Sequence, residues 1–169
     1  MTLRPATQAD VAAMLEIYTP VVLETAISFE LEPPSVAEFG ARLEAVTARD
    51  PWLVAEIEGR VAGYAYASDF RSRPAYAATR ETTVYVADWA RGRSVGTRLV
   101  LAILDVLTAD GVRQVIAGIA LPNDGSIALH ERLGYTSVGT FEAVGHKFGR
   151  WHDLGFWQRG LPPDPSSGS

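Results

Sequence analysis

The sequence predicts a mixed α/β domain, and three observations carry that expectation. Its elements run β, α, α, then several strands, then β-α-β-α and closing strands. The stretch Val115–Leu121 is a near-continuous apolar run, which reads as a strand buried on both faces. The 169 residues are 47% hydrophobic and contain no internal repeat or linker, which suits a single core.

The elements follow in order. Leu3–Ala6 reads as a short opening strand. Asp10–Tyr18 has helical spacing, with Val11, Met14, Leu15 and Tyr18 on one face, and Pro20 is expected to stop or kink it. Ser35-Val-Ala-Glu38 is a capping-box signature opening a helix that carries Phe39, Leu43 and Val46. Trp52–Ile57 and Val61–Ala67, separated by Glu58-Gly59, signal a hairpin. Asp69–Ala78 is a loop rich in Arg, Ser and Pro, and Glu81–Val86 is a β-branched, aromatic strand. Ser94–Ala109 is a long amphipathic helix with Leu99, Ala102, Ile103 and Val106 facing inward and Gly111 at its end. Asn123–Leu133 is a shorter helix closed by Gly134. Two strands follow near Thr136–Glu142 and Leu154–Gln158. The domain is expected over residues 1–161, with a disordered Pro/Ser/Gly-rich tail over 162–169.

Composition excludes several classes. There are no cysteines, so disulfides, thiol catalysis and most structural zinc sites are out. No run of about 18 apolar residues predicts a membrane span. The opening MTLRPATQAD lacks the apolar stretch of a secretory signal, so a cytoplasmic protein is expected. The net charge of −5 argues against nucleic-acid binding. Three scattered histidines make no metal-spacing pattern, and no nucleophile elbow is present.

The strongest local motif is Arg91-Gly92-Arg93-Ser94-Val95-Gly96-Thr97, between a strand and the long helix. Such a turn points backbone N–H groups into one concavity, and the helix start adds partial positive charge. Gly92 and Gly96 allow close approach of a pyrophosphate, and Arg91 and Arg93 add charge-assisted contacts. The plain alternative is a solvated basic turn that caps a helix.

With this loop in place, the chain resembles the GNAT superfamily of acetyltransferases. Its phosphate motif, Gln/Arg-x-x-Gly-x-Gly/Ala, is matched by Arg91-x-x-Ser94-x-Gly96, with Ser94 standing where glycine is usual. Five longer blocks resemble phosphinothricin N-acetyltransferases and the related enzymes for methionine sulfone and sulfoximine. They are Pro51–Glu56, Glu81–Val86, Leu121–Asp124, Leu129–Tyr135 and Trp151–Trp157. The resemblance implies a central mixed, mostly antiparallel sheet flanked by helices, with two parallel strands splayed apart. It implies acetyl-CoA as donor, a small amino-acid-like amine as acceptor, no metal, and a homodimer, to which the aromatic stretch Trp151–Trp157 would contribute.

Roles follow from the same resemblance. Val84, Tyr85 and Val86 would form the strand edge that receives the pantetheine arm, with the Val86 N–H polarising the thioester carbonyl. Asn123 would bond that arm; its residue type equally suits a helix N-cap. An acceptor ammonium must lose a proton before attack, and Glu81, at the start of the donor strand, is the candidate base. Its alternative is a solvent-exposed strand end. His130 would protonate the departing thiolate or bind the acceptor's acidic group, or else pack under its helix. Tyr135 reads as a structural aromatic. Arg71 and Arg73 can hold a carboxylate or phosphinate, while Tyr76 and Phe29 would form walls. Rival readings are an acetyltransferase for another small amine or a peptide N-terminus, and a non-catalytic acyl-CoA sensor.

Overall fold

The computed structural model describes residues 1–163; the rest of the expected tail, 164–169, lies outside the described residues. Seven strands form one sheet in the order β1-β2-β3-β4-β5-β7-β6. They are β1 (Thr2–Pro5), β2 (Trp52–Ile57), β3 (Arg60–Asp69), β4 (Thr79–Val86), β5 (Gln114–Ala120), β6 (Thr136–Lys147) and β7 (Arg150–Gly160). The helices are α1 (Val11–Glu24), α2 (Val36–Thr47), α3 (Val95–Ala109) and α4 (Asp124–Arg132).

Local chemistry explains most of these boundaries. At α2 the Ser35 hydroxyl accepts from the Glu38 N–H at 3.2 Å, and the Glu38 carboxylate accepts from the Ser35 N–H at 2.7 Å. The β2–β3 turn places Glu58 (φ 54°) and Gly59 (φ 77°) both in the left-handed region, the conformation of a two-residue type I′ hairpin. Asn123 caps α4 by accepting from the Ser126 N–H at 3.2 Å.

Four expectations are corrected. Pro20 lies inside α1, which runs on to Glu24. Buried Ile17 and Tyr18 before it and buried Val22 after it anchor both halves on the core, and this outweighs the lost backbone bond. Val106 faces solvent; Val100, Leu104 and Leu107 complete the buried stripe of α3 instead. β5 is fully buried on the Val115, Ala117 and Ile119 face, but its other face is broken at exposed Gly118, between half-buried Ile116 and buried Ala120. The closing strands are longer than expected and join at Phe148 (φ 53°) and Gly149 (φ 70°). Most of β6 is solvent-facing, so it lacks the alternation that marks a half-buried strand in sequence.

Every neighbouring pair is antiparallel except β4–β5. That parallel pair is in register only from Thr79↔Gln114 through Glu81↔Ile116. Beyond it, β4 stays on β3 to Val86, and β5 stays on β7 to Ala120. The two strands therefore splay apart in the middle of the sheet.

The faces of the sheet are distinct. Tyr64, Tyr85, Trp52, Phe39 and Tyr18 interlock on the α1–α2 face, with ring centroids 5.0–6.1 Å apart. Val95 and Leu99 of α3 pack on the other face, above Gly63.

Candidate active site

The splay opens a groove of about 530 Å³. Val84, Tyr85, Val86, Arg91, Gly92, Ser94, Val95, Gly96, Thr97, Asn123 and His130 all line it. Arg93 is exposed on the same turn, outside the lining.

Backbone direction sorts the strand residues. The Ala87 N–H donates to the Ala62 carbonyl on β3 at 2.9 Å. Strand backbone groups alternate in direction, so Val84 and Val86 turn their N–H and C=O toward the gap. Tyr85 turns its own toward β3, and its ring packs on Tyr18 and Tyr64. An unpaired strand edge of this kind can receive an extended, amide-bearing arm.

At the wide end of the groove α3 begins. Ser94 is its N-cap at φ 60°, ψ 19°, and makes no side-chain capping bond. Among the described residues, the N–H groups of Ser94, Val95, Gly96 and Thr97 bond to no backbone acceptor in the preceding turn. They converge on the groove with the positive end of the helix dipole behind them. Arg91 is exposed and pairs with Asp88 at 2.8 Å. Serine in the left-handed region is strained, and here it gains no cap in return. Ser94→Gly is therefore expected to stabilise the fold by about 1 kcal/mol, a rise of about 2–4 °C in Tm. Calorimetry checks it, and an unchanged or lower Tm contradicts it.

Glu81 and His130 approach the gap from opposite faces of the sheet. Glu81 shares a face with Thr83 and Tyr85, and its Oε1 lies against Gly118 of β5, 3.2 Å from where a Cβ there would stand. Burial raises the Glu81 pKa, and the nearby Arg71 charge opposes the rise. His130 is 3% exposed on the α4 side. Its ring stands edge-on to Tyr135 at 5.0 Å, and the Tyr135 hydroxyl meets the Thr82 hydroxyl at 3.2 Å. His130 Nδ1 lies 2.8 Å from the Ser126 carbonyl, which can only accept, so Nδ1 carries the proton. Burial lowers the His130 pKa, and the Ser126 carbonyl opposes this. Burial thus favours the neutral ring, in which Nδ1 holds the proton and Nε2 presents a lone pair.

The remaining candidates lie outside the groove lining. Arg71 stacks over Phe70 at 4.8 Å, and Phe70 meets Tyr76 edge-on at 5.8 Å. Arg73 and Tyr76 are exposed on the same loop. Phe29 sits in the α1–α2 connection beside His152, 6.2 Å between ring centroids. Sequence reasoning missed the residue that ties the Arg71–Tyr76 loop to the sheet. Arg80 donates to the carbonyls of Ala77 (2.8 Å) and Thr79 (3.1 Å) and forms a buried pair with Asp50. Nothing near Arg80 in sequence marks it, because Asp50 precedes it by 30 residues. Among the described residues, no group of three or more His, Cys, Asp or Glu could hold a metal. No helix there is long and apolar enough to cross a membrane.

A family model for the acetyltransferase (GNAT) domain matches residues 3–155. The chain belongs to the GNAT acetyltransferase family. It is 46% identical to a phosphinothricin N-acetyltransferase of Streptomyces viridochromogenes, covering 96% of this chain and 91% of that protein. It is 37% identical to an L-methionine sulfoximine/L-methionine sulfone acetyltransferase of Pseudomonas paraeruginosa, covering 98% of each. Among solved structures, a GNAT superfamily phosphinothricin acetyltransferase of Sinorhizobium meliloti in complex with acetyl-CoA superposes with a TM-score of 0.93. That pair is 41% identical over 99% of this chain and 91% of the other. In this GNAT chain the splayed β4–β5 pair and the turn before α3 form one continuous groove.

Proposed function

We propose that this chain transfers the acetyl group of acetyl-CoA to the primary amine of phosphinothricin, methionine sulfoximine or methionine sulfone. The observation that carries the reading is the β4–β5 splay. It leaves the Val84 and Val86 backbone unpaired beside the bare N-terminus of α3. The names of the relatives supply the acceptor class.

In this reading the pyrophosphate lies on the Gly92–Thr97 turn with Arg91 and Arg93 at its edge, and Asn123 bonds the pantetheine arm. The Val86 N–H donates to the thioester oxygen, where negative charge develops as the amine attacks. Glu81 takes a proton from the acceptor ammonium, directly or through water. The new C–N bond forms, the tetrahedral intermediate collapses, and the C–S bond breaks to release the CoA thiolate. As the C–S bond breaks, the nitrogen of the intermediate sheds its second proton; the His130 Nε2 lone pair takes that proton through water and passes it to the departing thiolate. Arg71 and Arg73 hold the acceptor's carboxylate or phosphinate, with Tyr76 and Phe29 as walls. The reaction is direct transfer in a ternary complex, and the cytoplasm is its proposed location, where acetyl-CoA is available.

Purified protein, acetyl-CoA and a panel of amines test this by thiol release. Turnover of the three named acceptors is expected. Turnover of spermidine or a peptide N-terminus alone would refute the substrate class, and acetyl-CoA binding without any turnover would favour a sensor. Arg73→Ala is expected to raise the acceptor KM and leave the acetyl-CoA KM nearly unchanged.

A homodimer is part of the proposal. Val138, Phe141, Val144, Phe148 and Trp151 are each at least half exposed on the β6–β7 hairpin, and β6 is a sheet edge. An uncovered apolar edge of this length is a liability that a second copy would remove. Trp157, by contrast, is a core residue whose Nε1–H donates to Glu131 at 3.1 Å. Light scattering should give twice the chain mass; a monomer contradicts the dimer.

A further inference from the structure

We propose that the β6–β7 hairpin sets the size of the acceptor site, with Gly145 and Lys147 as positioning residues that hold Phe29 in place. The inference rests on the proposed acceptor site, in which Phe29 is a wall. A Cβ built at Gly145 would stand less than 3.0 Å from three atoms of the Phe29 ring. Gly145 is not among the residues with positive φ, so its backbone does not require glycine. What requires it is the space occupied by the ring.

Lys147 fixes the residue before Phe29. It is 3% exposed, and its Nζ donates to the Ser28 carbonyl at 2.7 Å across 119 residues of sequence. Among the described residues, no carboxylate lies within 4.0 Å of that ammonium. The more distant Glu30 carboxylate, itself paired with Arg42, offsets only part of the cost of burying this ammonium, so its donated bond must be kept. The Phe148 ring lies 5.1 Å away and offers partial compensation. His152, whose Nε2 donates to the Lys147 carbonyl at 3.0 Å, packs its ring beside Phe29, 6.2 Å between centroids. From beneath, the Ser28 hydroxyl meets the Tyr18 hydroxyl at 2.7 Å, and Tyr18 packs on Tyr85 of β4 at 5.0 Å. Phe29 thus packs on the hairpin, while Ser28 beside it is tied through Tyr18 to β4, the strand that carries the proposed base. The aliphatic part of the acceptor would meet a wall whose depth the hairpin decides.

Steady-state kinetics with phosphinothricin and methionine sulfoximine, on wild type, Gly145→Ala, Phe29→Ala and the double variant, test this. Gly145→Ala should raise the acceptor KM by about tenfold, as a one-methylene misfit in a pocket does, with the acetyl-CoA KM unchanged. In the Phe29→Ala background the same substitution should change nothing further, because the ring it would strike is gone. A wild-type acceptor KM in Gly145→Ala, or additive effects of the two substitutions, overturns the inference. If Gly145→Ala does not fold, Lys147→Met carries the test, and a wild-type acceptor KM there is equally fatal. A wild-type enzyme inactive on both acceptors would overturn the proposed substrate class and this inference together. Wild-type turnover with unmoved KM values in the variants overturns the inference alone.

Discussion

Glu81→Gln is expected to slow acetyl transfer by about 10²–10⁴-fold near neutral pH while leaving acetyl-CoA affinity largely intact. The amide is nearly the same shape but cannot take a proton from the acceptor ammonium. Glu81 stands on the α1–α2 face, away from the phosphate turn, so donor binding has little reason to change. The pH profile adds a second readout. Burial raises the Glu81 pKa, with Arg71 opposing, so the carboxylate is lost at a higher pH than an exposed glutamate would be. The wild-type kcat/KM should therefore fall on the acid side above the ordinary glutamate range. That limb should be missing from the residual activity of Glu81→Gln. Wild-type turnover in the variant would reassign the base, with water or His130 next in line.

Gly96→Asp is expected to weaken acetyl-CoA binding by about 10² or more. A Cβ at Gly96 would lie 3.3 Å from Leu129 Cδ2 and 3.4 Å from Val86 Cγ2, so the fold can admit it with a small shift. The carboxylate would then project into the groove where the pyrophosphate is proposed to lie. Two like charges about 4 Å apart repel by about 4 kcal/mol at an effective dielectric of about 20. That would be close to 10³ in affinity, and solvent in the open groove reduces it. An acidic residue near a helix N-terminus is otherwise favourable, so the fold itself should persist. Gly96→Ala separates shape from charge and should bind nearly as wild type. Titration calorimetry measures the loss directly, and the Tm rise caused by acetyl-CoA should vanish in the aspartate variant. Unchanged donor affinity would sink the phosphate-turn assignment.

Much of this architecture was legible in the chain because its signals act over a few residues. Ser35 and Glu38 satisfy each other's backbone within one turn. Glu58-Gly59 specifies a tight hairpin, Asn123 caps α4, and the Arg91–Thr97 turn announces a helix start that suits an anion. Each depends on local geometry and on groups already adjacent in sequence. The mixed α/β class and the candidate residues of the groove followed from these signals and from the family resemblance.

The rest was decided by partners distant in sequence. Pro20 continues a helix because core contacts on both sides hold it, and Val106 turns outward because Leu107 turns in. Gly118 is exposed because β4 leaves β5 after Glu81. Glu81 and His130, 49 positions apart in sequence, came to opposite faces of the same gap. The buried Lys147–Ser28 contact joins segments 119 residues apart, and nothing beside either residue predicts it. A hydrophobic period records which residues can be buried. It does not record where two strands separate, because that depends on the pairing partners each strand keeps.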